Sequence, residues 1–258
     1  IATYIESRGK PISGYTDDYD GNTRSTSRPD IGADEFSGTA ICNINLTATG
    51  GTATGCYLTV KAAFDEINAG THTGTIALSV INNTSEFATA SLNASGSGSA
   101  SYSSISMQPS GGAFTVSNAL TLSDLVTFNG ADNVTVNGLN SGGNSLSFSN
   151  TSTTANSTIR FQNDATSNTI QNCTITSSGT NSSSSVIFFG DASASGNSNN
   201  TITSNTISAN SGTTVTYGIF TSNTIGGTTN TNNTISNNNI ADYFSATSSS
   251  RGIYVNQN

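Results

Sequence analysis

Short apolar runs alternate with Ser, Thr, Asn and Gln along most of the chain, and over its second half the alternation returns as a fixed phrase. It reads NTIQNCTI at 168–175, NTITSNTI at 200–207 and NTISNNNI at 233–240, in steps of 32 and 33 residues. A partner phrase precedes each copy: STIRF at 157–161, SSVIFF at 184–189 and TYGIFTS at 216–222, while RGIYVN at 251–256 opens another. Alternation with period two in short β-branched runs predicts strands, not helices. Self-similarity at this period marks a stacked architecture, in which each repeat buries its apolar face only against its neighbours.

The unit reads as strand, loop, strand, Asn bend, strand, long loop. Three short strands per turn, stacked in register, make an all-β, parallel β-helix, right-handed by the crossover preference of parallel strands. Like residues then sit one strand spacing apart, about 4.8 Å, so Ile170, Ile202 and Ile235 are expected to stack inside. Asn172, Asn205 and one of Asn237 or Asn238, with Asn238 preferred, are expected at the bend. Asn tolerates left-handed backbone geometry, and stacked Asn side chains satisfy one another's amides. The segment LVTFNGADNVTVNGL at 125–139 aligns with 159–175, which carries the repeat upstream. Less regular strands come earlier, in TIALSVI at 75–81, SSISMQ at 103–108 and AFTVSNALTL at 113–122. The segment LTVKAAFDEINAG at 58–70 predicts a helix with Val60, Ala63, Phe64 and Ile67 on one face and Gly70 as its stop. A helix there is placed to cap the open first rung. Three regions follow: 1–38, a closing or linking segment; 39–74, a disulfide loop and capping helix; and 75–258, a β-helix that continues beyond the last residue.

Composition changes this picture in two ways. Charged residues make up 9% of the chain and the net charge is −8, from 15 acids against 7 bases. That balance disfavours nucleic acid and anionic membranes as partners, and no stretch approaches the ~18 apolar residues of a membrane span. Cys42 and Cys56 flank the Gly-rich segment NINLTATGGTATG and are expected to form a disulfide, which fits an oxidising compartment. Closing such a loop contributes roughly 3 kcal/mol in the chain-entropy picture. Cys173 is expected to be a packed free thiol. His72 is the only histidine, so no Cys/His metal spacing exists.

The first 36 residues differ in character. In DDYDGNTRSTSRPDIGADEF at 17–36, Arg24 and Arg28 stand among Asp18, Asp20, Asp30, Asp34 and Glu35, so ion pairs are expected to fasten an irregular segment. Asp18, Asp20 and Asn22, with Gly21 as the turn, also look like the first half of a calcium loop. Pro29, however, stands where the closing Glu belongs, so a salt-bridged turn is preferred to calcium and no cofactor is assigned. This phrase resembles the D-x-D-G-x-x-R … D-I-G-A-x-E signature that ends many secreted bacterial β-helix proteins. Further along, CYLTVKAAFDEINAGTHTGTIALSVINNTSE at 56–86, SYSSISMQPSGGA at 101–113 and FNGADNVTVNGLNSGGNSLSFSN at 128–150 resemble large, repetitive cell-surface or secreted proteins of Bacteroidota, often exported by the type IX system. The resemblance implies a pectin-lyase-like right-handed β-helix in an extracellular or surface protein, and implies no particular activity.

Candidate chemistry is sparse. A β-helical lyase needs a base and something to neutralise a carboxylate, and the repeat core before Arg251 offers only Arg160, pointing outward without a Lys. A hydrolase needs paired carboxylates. Asp124, Asp132, Asp164 and Asp191 are isolated in loop regions, although Asp132 and Asp164 align as stacked neighbours. Thr135, Thr169, Thr201 and Thr234 form one regular outward column, the kind that orders water on ice-binding solenoids. The adjoining column of Asn137, Gln171, Thr203 and Ser236 is mixed, and outward Thr is an ordinary solvent-facing strand residue. Phe188, Phe220 and Tyr254 are expected as an outward aromatic column beside Arg160, where sugar faces stack. The expected function is therefore a non-catalytic structural or adhesive segment. Its partners would be neighbouring β-helices of the same longer chain, surface glycans or other surface proteins, met through loops at 179–185, 190–199 and 226–232. The alternative is a carbohydrate-binding or polysaccharide-cleaving β-helix.

Overall fold

The structure, a computed structural model, describes residues 2–36, 38–223, 229–244 and 249–257. Two short strands, β1 (Ala2–Thr3) and β2 (Thr39–Ala40), pair in parallel outside the main body. Then come β3 (Ile44–Gly51), β4 (Thr54–Tyr57), α1 (Val60–Asn68) and β5 (His72–Val80). The chain next rotates through three faces: β6 (Thr84–Glu86), β7 (Ala90–Asn93), β8 (Tyr102–Pro109), β9 (Ala113–Asn118), β10 (Asp124–Asn129), β11 (Val134–Asn137), β12 (Ser145–Asn150), β13 (Ser157–Gln162) and β14 (Thr169–Gln171). It continues through β15 (Thr174–Ser177), β16 (Ser185–Phe189), β17 (Thr201–Thr203), β18 (Thr206–Ala209), β19 (Tyr217–Asn223), β20 (Thr234–Ser236), β21 (Asn239–Ile240) and β22 (Arg251–Gln257). Every third strand stacks in one sheet: β5 through β20, β6 through β21, and β7 through β22, all in parallel. The protein is a parallel β-helix of about five turns, as the repeat period requires.

Register fills the interior with columns of like residues. On the first sheet Leu78, Met107, Val136, Ile170, Ile202 and Ile235 stack. On the second the column is Val116, Phe148, Ile175, Ile207 and Ile240. On the third, Leu92, Phe128, Phe161 and Phe189 stack, with ring centroids 5.1 and 4.5 Å apart along the three phenylalanines. The strands are so short that no sheet could hold a core alone. The three inner faces close on one another, and that shared interior is the hydrophobic core.

The corners correct the sequence reading. Asn172 does not share a column with Asn205 and Asn238. Asn172, Ser204 and Asn237 are the left-handed residues of the bend, with φ of 57°, 58° and 56°. The next residues along, Cys173, Asn205 and Asn238, form the inward column, buried at Cys173 and Asn205 and half-buried at Asn238. Asn205 Oδ1 accepts the Cys173 N–H at 2.9 Å, and its Nδ2 donates to the Ile170 carbonyl at 2.9 Å and to Asn238 Oδ1 at 3.0 Å. Asn238 repeats the pattern one turn on, toward the Asn205 N–H and the Ile202 carbonyl. The first Asn of each phrase does the same at the other end of its strand. Left-handed Asn133, Ser167, Asn199 and Asn232 precede a column of Val134, Asn168, Asn200 and Asn233. There the Val134, Asn168 and Asn200 N–H groups donate to the next turn's Asn Oδ1 at 2.9, 3.0 and 2.8 Å. A third column, Ala165, Asn197 and Asn230, follows the same rule. Each corner leaves an N–H and a carbonyl pointing inward, and the Asn amide, with one acceptor and two donors, satisfies both.

The start of the solenoid is closed by more than a helix. The segment between Cys42 and Cys56, expected to be a loop, is the β3–β4 hairpin, and β3 runs antiparallel to β5 to cover the edge of the first sheet. Gly51 makes its turn at φ 67°, where a Cβ would lie 2.4 Å from the Thr71 carbonyl oxygen. Cys42 and Cys56 form a disulfide with Cα atoms 5.3 Å apart. Helix α1 buries Val60, Ala63, Phe64 and Ile67, with Thr59 as its N-cap, accepting from the Ala62 N–H. Its last residue covers the third sheet's edge: Asn68 Nδ2 donates to the Ser91 carbonyl and Oδ1 accepts the Asn93 N–H, both at 2.9 Å. Buried Glu86, from the second sheet's first strand, accepts the Val60 and Lys61 N–H groups at the helix start, both at 2.9 Å. Cys173 is a free buried thiol whose pKa burial pushes up to about 12.

Because Asn205 satisfies two backbone groups and its neighbour in the stack, Asn205→Ala is expected to cost about 2–4 kcal/mol, against less than about 0.5 kcal/mol for Thr201→Ala on the outer face. Urea midpoints of the two variants check the contrast, and equal midpoints would contradict it.

Candidate functional site

The third sheet carries the expected aromatic column on its outer face. Arg160, Phe188, Phe220 and Tyr254 occupy successive positions of one register. Phe188 stacks on Phe220 at 5.1 Å between centroids, and Phe220 on Tyr254 at 5.3 Å. Tyr217 leans in against Phe220 and Tyr254 at 4.8 and 5.1 Å. The Arg160 guanidinium lies 4.8 Å from the Phe188 ring centre, and that of Arg251 lies 4.1 Å from the Tyr254 centre. A sugar needs a free ring face, and in this column neighbouring rings occupy each other's faces while a guanidinium covers each end. Phe220 is only 9% exposed. The rings therefore act as a packed ladder along the outside of the solenoid, held by dispersion and cation–π attraction.

The acids thought isolated are engaged. Asp124 accepts the Ser157 hydroxyl at 2.5 Å and pairs with Arg160 at 3.7 Å. Burial raises its pKa against the pull of those two partners. Asp132 and Asp164 do not stack on each other. Asp132 accepts the Thr166 N–H and hydroxyl at 2.8 and 2.7 Å. Asp164, itself left-handed at φ 67°, reaches forward into the loop at 193–196. There it accepts the N–H groups of Ser193, Ala194, Ser195 and Gly196 at 2.9–3.1 Å and the Ser193 hydroxyl at 2.5 Å. Against the upward push of burial, the Ser193 hydroxyl and these N–H groups hold the Asp164 carboxyl below the usual range. Asp191 lies in the same loop, and its carbonyl accepts the Asn163 N–H at 2.7 Å. Arg160 and Asp124 form one pair, Asp132 bonds Thr166, and Asp164 and Asp191 meet at the loop that follows β16. Part of the expected loop at 226–232, residues 226–228, lies outside the described residues. The Thr135, Thr169, Thr201 and Thr234 column is in register.

In the N-terminal segment the carboxylates mostly grip backbone N–H groups, and of the ion pairs expected Arg24–Glu35 forms. Asp30 accepts from Ser7 and Phe36 at 2.6 and 2.9 Å, and Glu35 accepts from Ser25 and Asp30, both at 2.8 Å. Arg24 donates to the Asp30, Gly32 and Ala33 carbonyls at 3.0–3.3 Å and reaches Glu35 at 4.0 Å. Arg28 points away, to the Tyr57 hydroxyl at 3.0 Å. Asp20 and Asp34 are exposed. Of the calcium candidates, Asn22 donates its side-chain and backbone N–H groups to Asp18 at 3.0 and 2.7 Å. Among the described residues no group of three His, Cys, Asp or Glu side chains is placed to hold a metal.

No family model, curated protein or solved structure matches the chain.

The packed-ladder reading of the aromatic column gives Phe220→Ala a cost of about 3 kcal/mol or more, as for a buried ring, with Tyr254→Ala costing less. Thermal melts order the two, and a neutral Phe220→Ala would restore the rings to the role of an open platform. A second expectation concerns acid. The Glu35 N–H and the Asn22 side chain hold the Asp18 pKa at about 2 in the folded protein. A lowered folded pKa means its stabilising effect is present above the unfolded value of about 4 and is lost as pH falls toward the folded one. The stability difference between wild type and Asp18→Asn should therefore shrink as pH falls from about 4 to about 2. A difference constant across that window would show that the Glu35 and Asn22 contacts do not form.

Proposed function

We propose that the segment is a non-catalytic structural unit of a bacterial cell-surface or secreted protein, a stiff spacer whose loops present an adhesive surface. The observation that carries this reading is the assignment of the polar side chains. Asp124, Asp132, Asp164 and Arg160 each bond across turns of the solenoid, and the Asn columns do the same from within. Load along the axis is shared by three parallel sheets and three side-chain columns. The Cys42–Cys56 disulfide accords with an oxidising compartment, and no helix among the described residues is long and apolar enough to cross a membrane. The resemblance to Bacteroidota surface proteins supplies the proposed origin and the type IX route. The proposed partners are neighbouring β-helical segments of the same longer chain, and glycans or proteins of a facing surface.

A polysaccharide-cleaving β-helix is the competing reading, and the Arg160–Asp124 pair is the feature that favours it. The two readings separate in an assay of this segment against a panel of neutral and acidic polysaccharides, scored for new reducing ends and for unsaturated products. The expected result is no turnover. Turnover abolished by Arg160→Ala or Asp164→Ala would replace the spacer with an enzyme.

A further inference from the structure

A cavity of about 980 Å³ opens where the N-terminal segment, the β3–β4 hairpin and helix α1 meet. It gathers Arg8, Lys10 and Arg28, three of the chain's seven basic residues, into one lining. None of the three pairs with a carboxylate among the described residues. Of the two acids that line the same cavity, Asp65 pairs with Lys61 at 2.6 Å and Glu66 accepts the Thr71 hydroxyl at 2.6 Å, which leaves the bases in excess. Arg8 is anchored to the Cys56 carbonyl at 2.7 Å and to the Ile41 carbonyl, yet its Nε is buried with no hydrogen-bond partner. Burial and the nearby Arg28 charge both lower the Arg8 pKa. Among the described residues the Arg28 side chain makes one hydrogen bond, to the Tyr57 hydroxyl, while its backbone N–H donates to Ser25 Oγ.

A fixed polar chain supports that hydroxyl. Tyr57 and His72 are 5% and 0% exposed. The Tyr57 hydroxyl lies 2.5 Å from His72 Nε2, and His72 Nδ1 lies 2.5 Å from the Thr52 carbonyl oxygen. A carbonyl only accepts, so Nδ1 carries the proton, Nε2 accepts from Tyr57, and the Tyr57 oxygen is left to accept from Arg28. The Arg28 guanidinium is thereby oriented, with donors to spare. Like charges gathered in an acidic protein repel until an anion joins them, and a guanidinium binds an oxyanion through paired N–H groups. The lining also offers the hydroxyl and amide groups of Ser7, Ser27, Asn45 and Thr54 beside apolar Pro11 and Ala62, a mixture that suits a sugar, whose hydroxyls need partners and whose ring carbons present an apolar face.

We propose that this cavity binds a saccharide unit bearing an oxyanion, carboxylate or sulfate, with the charge on Arg28 and Lys10 and the ring hydroxyls on the Ser and Thr lining. The site lies in the cap, at the β3–β4 end of the first sheet, and does not depend on the spacer reading.

His72 is the only histidine, so its ring protons give one unobscured NMR reporter beside Tyr57. The test titrates the protein with glucuronate, glucose 6-sulfate, glucose and sodium sulfate in turn, following His72 and fitting an affinity for each. Saturable shifts with glucuronate or glucose 6-sulfate are expected, weakened at least about tenfold by Arg28→Met and a few-fold by Lys10→Met, and falling as salt rises. The stronger of the two acidic sugars identifies the oxyanion. Glucose is expected to leave the reporter unmoved, and sulfate to bind more weakly than glucose 6-sulfate. Should Arg28→Met undock the segment, seen as a changed His72 signal before any ligand, exposed Lys10→Met decides alone. No saturable shift, equal binding of glucose, sulfate as strong as the sulfated sugar, or undiminished affinity in Lys10→Met would overturn the proposal.

Discussion

One hydrogen bond, repeated, governs this fold: the buried Asn Oδ1 that accepts a backbone N–H from the adjacent turn. Parallel strands bond to each other along their length, but a solenoid must also turn its corners, and there the ladder stops. An inward N–H left unpaired costs about 1–3 kcal/mol, and three corner columns present one each turn. A hydrocarbon side chain would leave that cost in place. Water would need space the close-packed columns lack. In these columns Asn168, Asn200, Asn205 and Asn238, each next to a left-handed residue, span the gap, because the amide oxygen accepts the N–H of the adjacent turn while the amide N–H donates to its carbonyl. The Ile and Phe columns then supply burial, but only because the corners have already fixed which residue stacks on which.

Most of the architecture was legible because a period of about 33 residues forces like onto like. The helix face of Val60, Ala63, Phe64 and Ile67 was legible for the same reason, since periodicity reports burial directly. Columns at the corners were not. Each phrase holds the left-handed residue and the ladder residue side by side, and Asn fills both roles, so composition alone set Asn172 one place out of step. Ser204 at the left-handed position and Cys173 at the ladder position hide the pattern further. The doubled form of the phrase, N-T-I twice in NTITSNTI, was the signal that two corners obey one rule. The hairpin between the cysteines was missed because Gly and Thr read as loop when the sheet they extend is unknown.

Polar side chains met a similar fate. Asp132 and Asp164 look equivalent by alignment, yet one bonds a Thr on the next turn and the other gathers a loop's N–H groups. Their separation depends on a two-residue difference in register that no periodicity reveals. The cavity in the cap was likewise invisible. Arg8, Arg28, Tyr57 and His72 lie far apart in sequence and come together only because the N-terminal segment folds back onto the hairpin. Inside the repeat, by contrast, the Asn columns and Asp124, Asp132 and Asp164 are committed to their neighbours.

Backbone hydrogen exchange tests the role of the Asn columns most directly. The amides of Asn168, Cys173, Asn197, Asn200 and Asn205 donate to Asn side chains of the next turn, outside any strand ladder. They are expected to be protected to within about tenfold of strand amides such as that of Ile202, because they open only when the stack opens. Exchange at the rate of exposed loop amides such as those of Ser182 and Ser183 would show that the columns do not hold the corners.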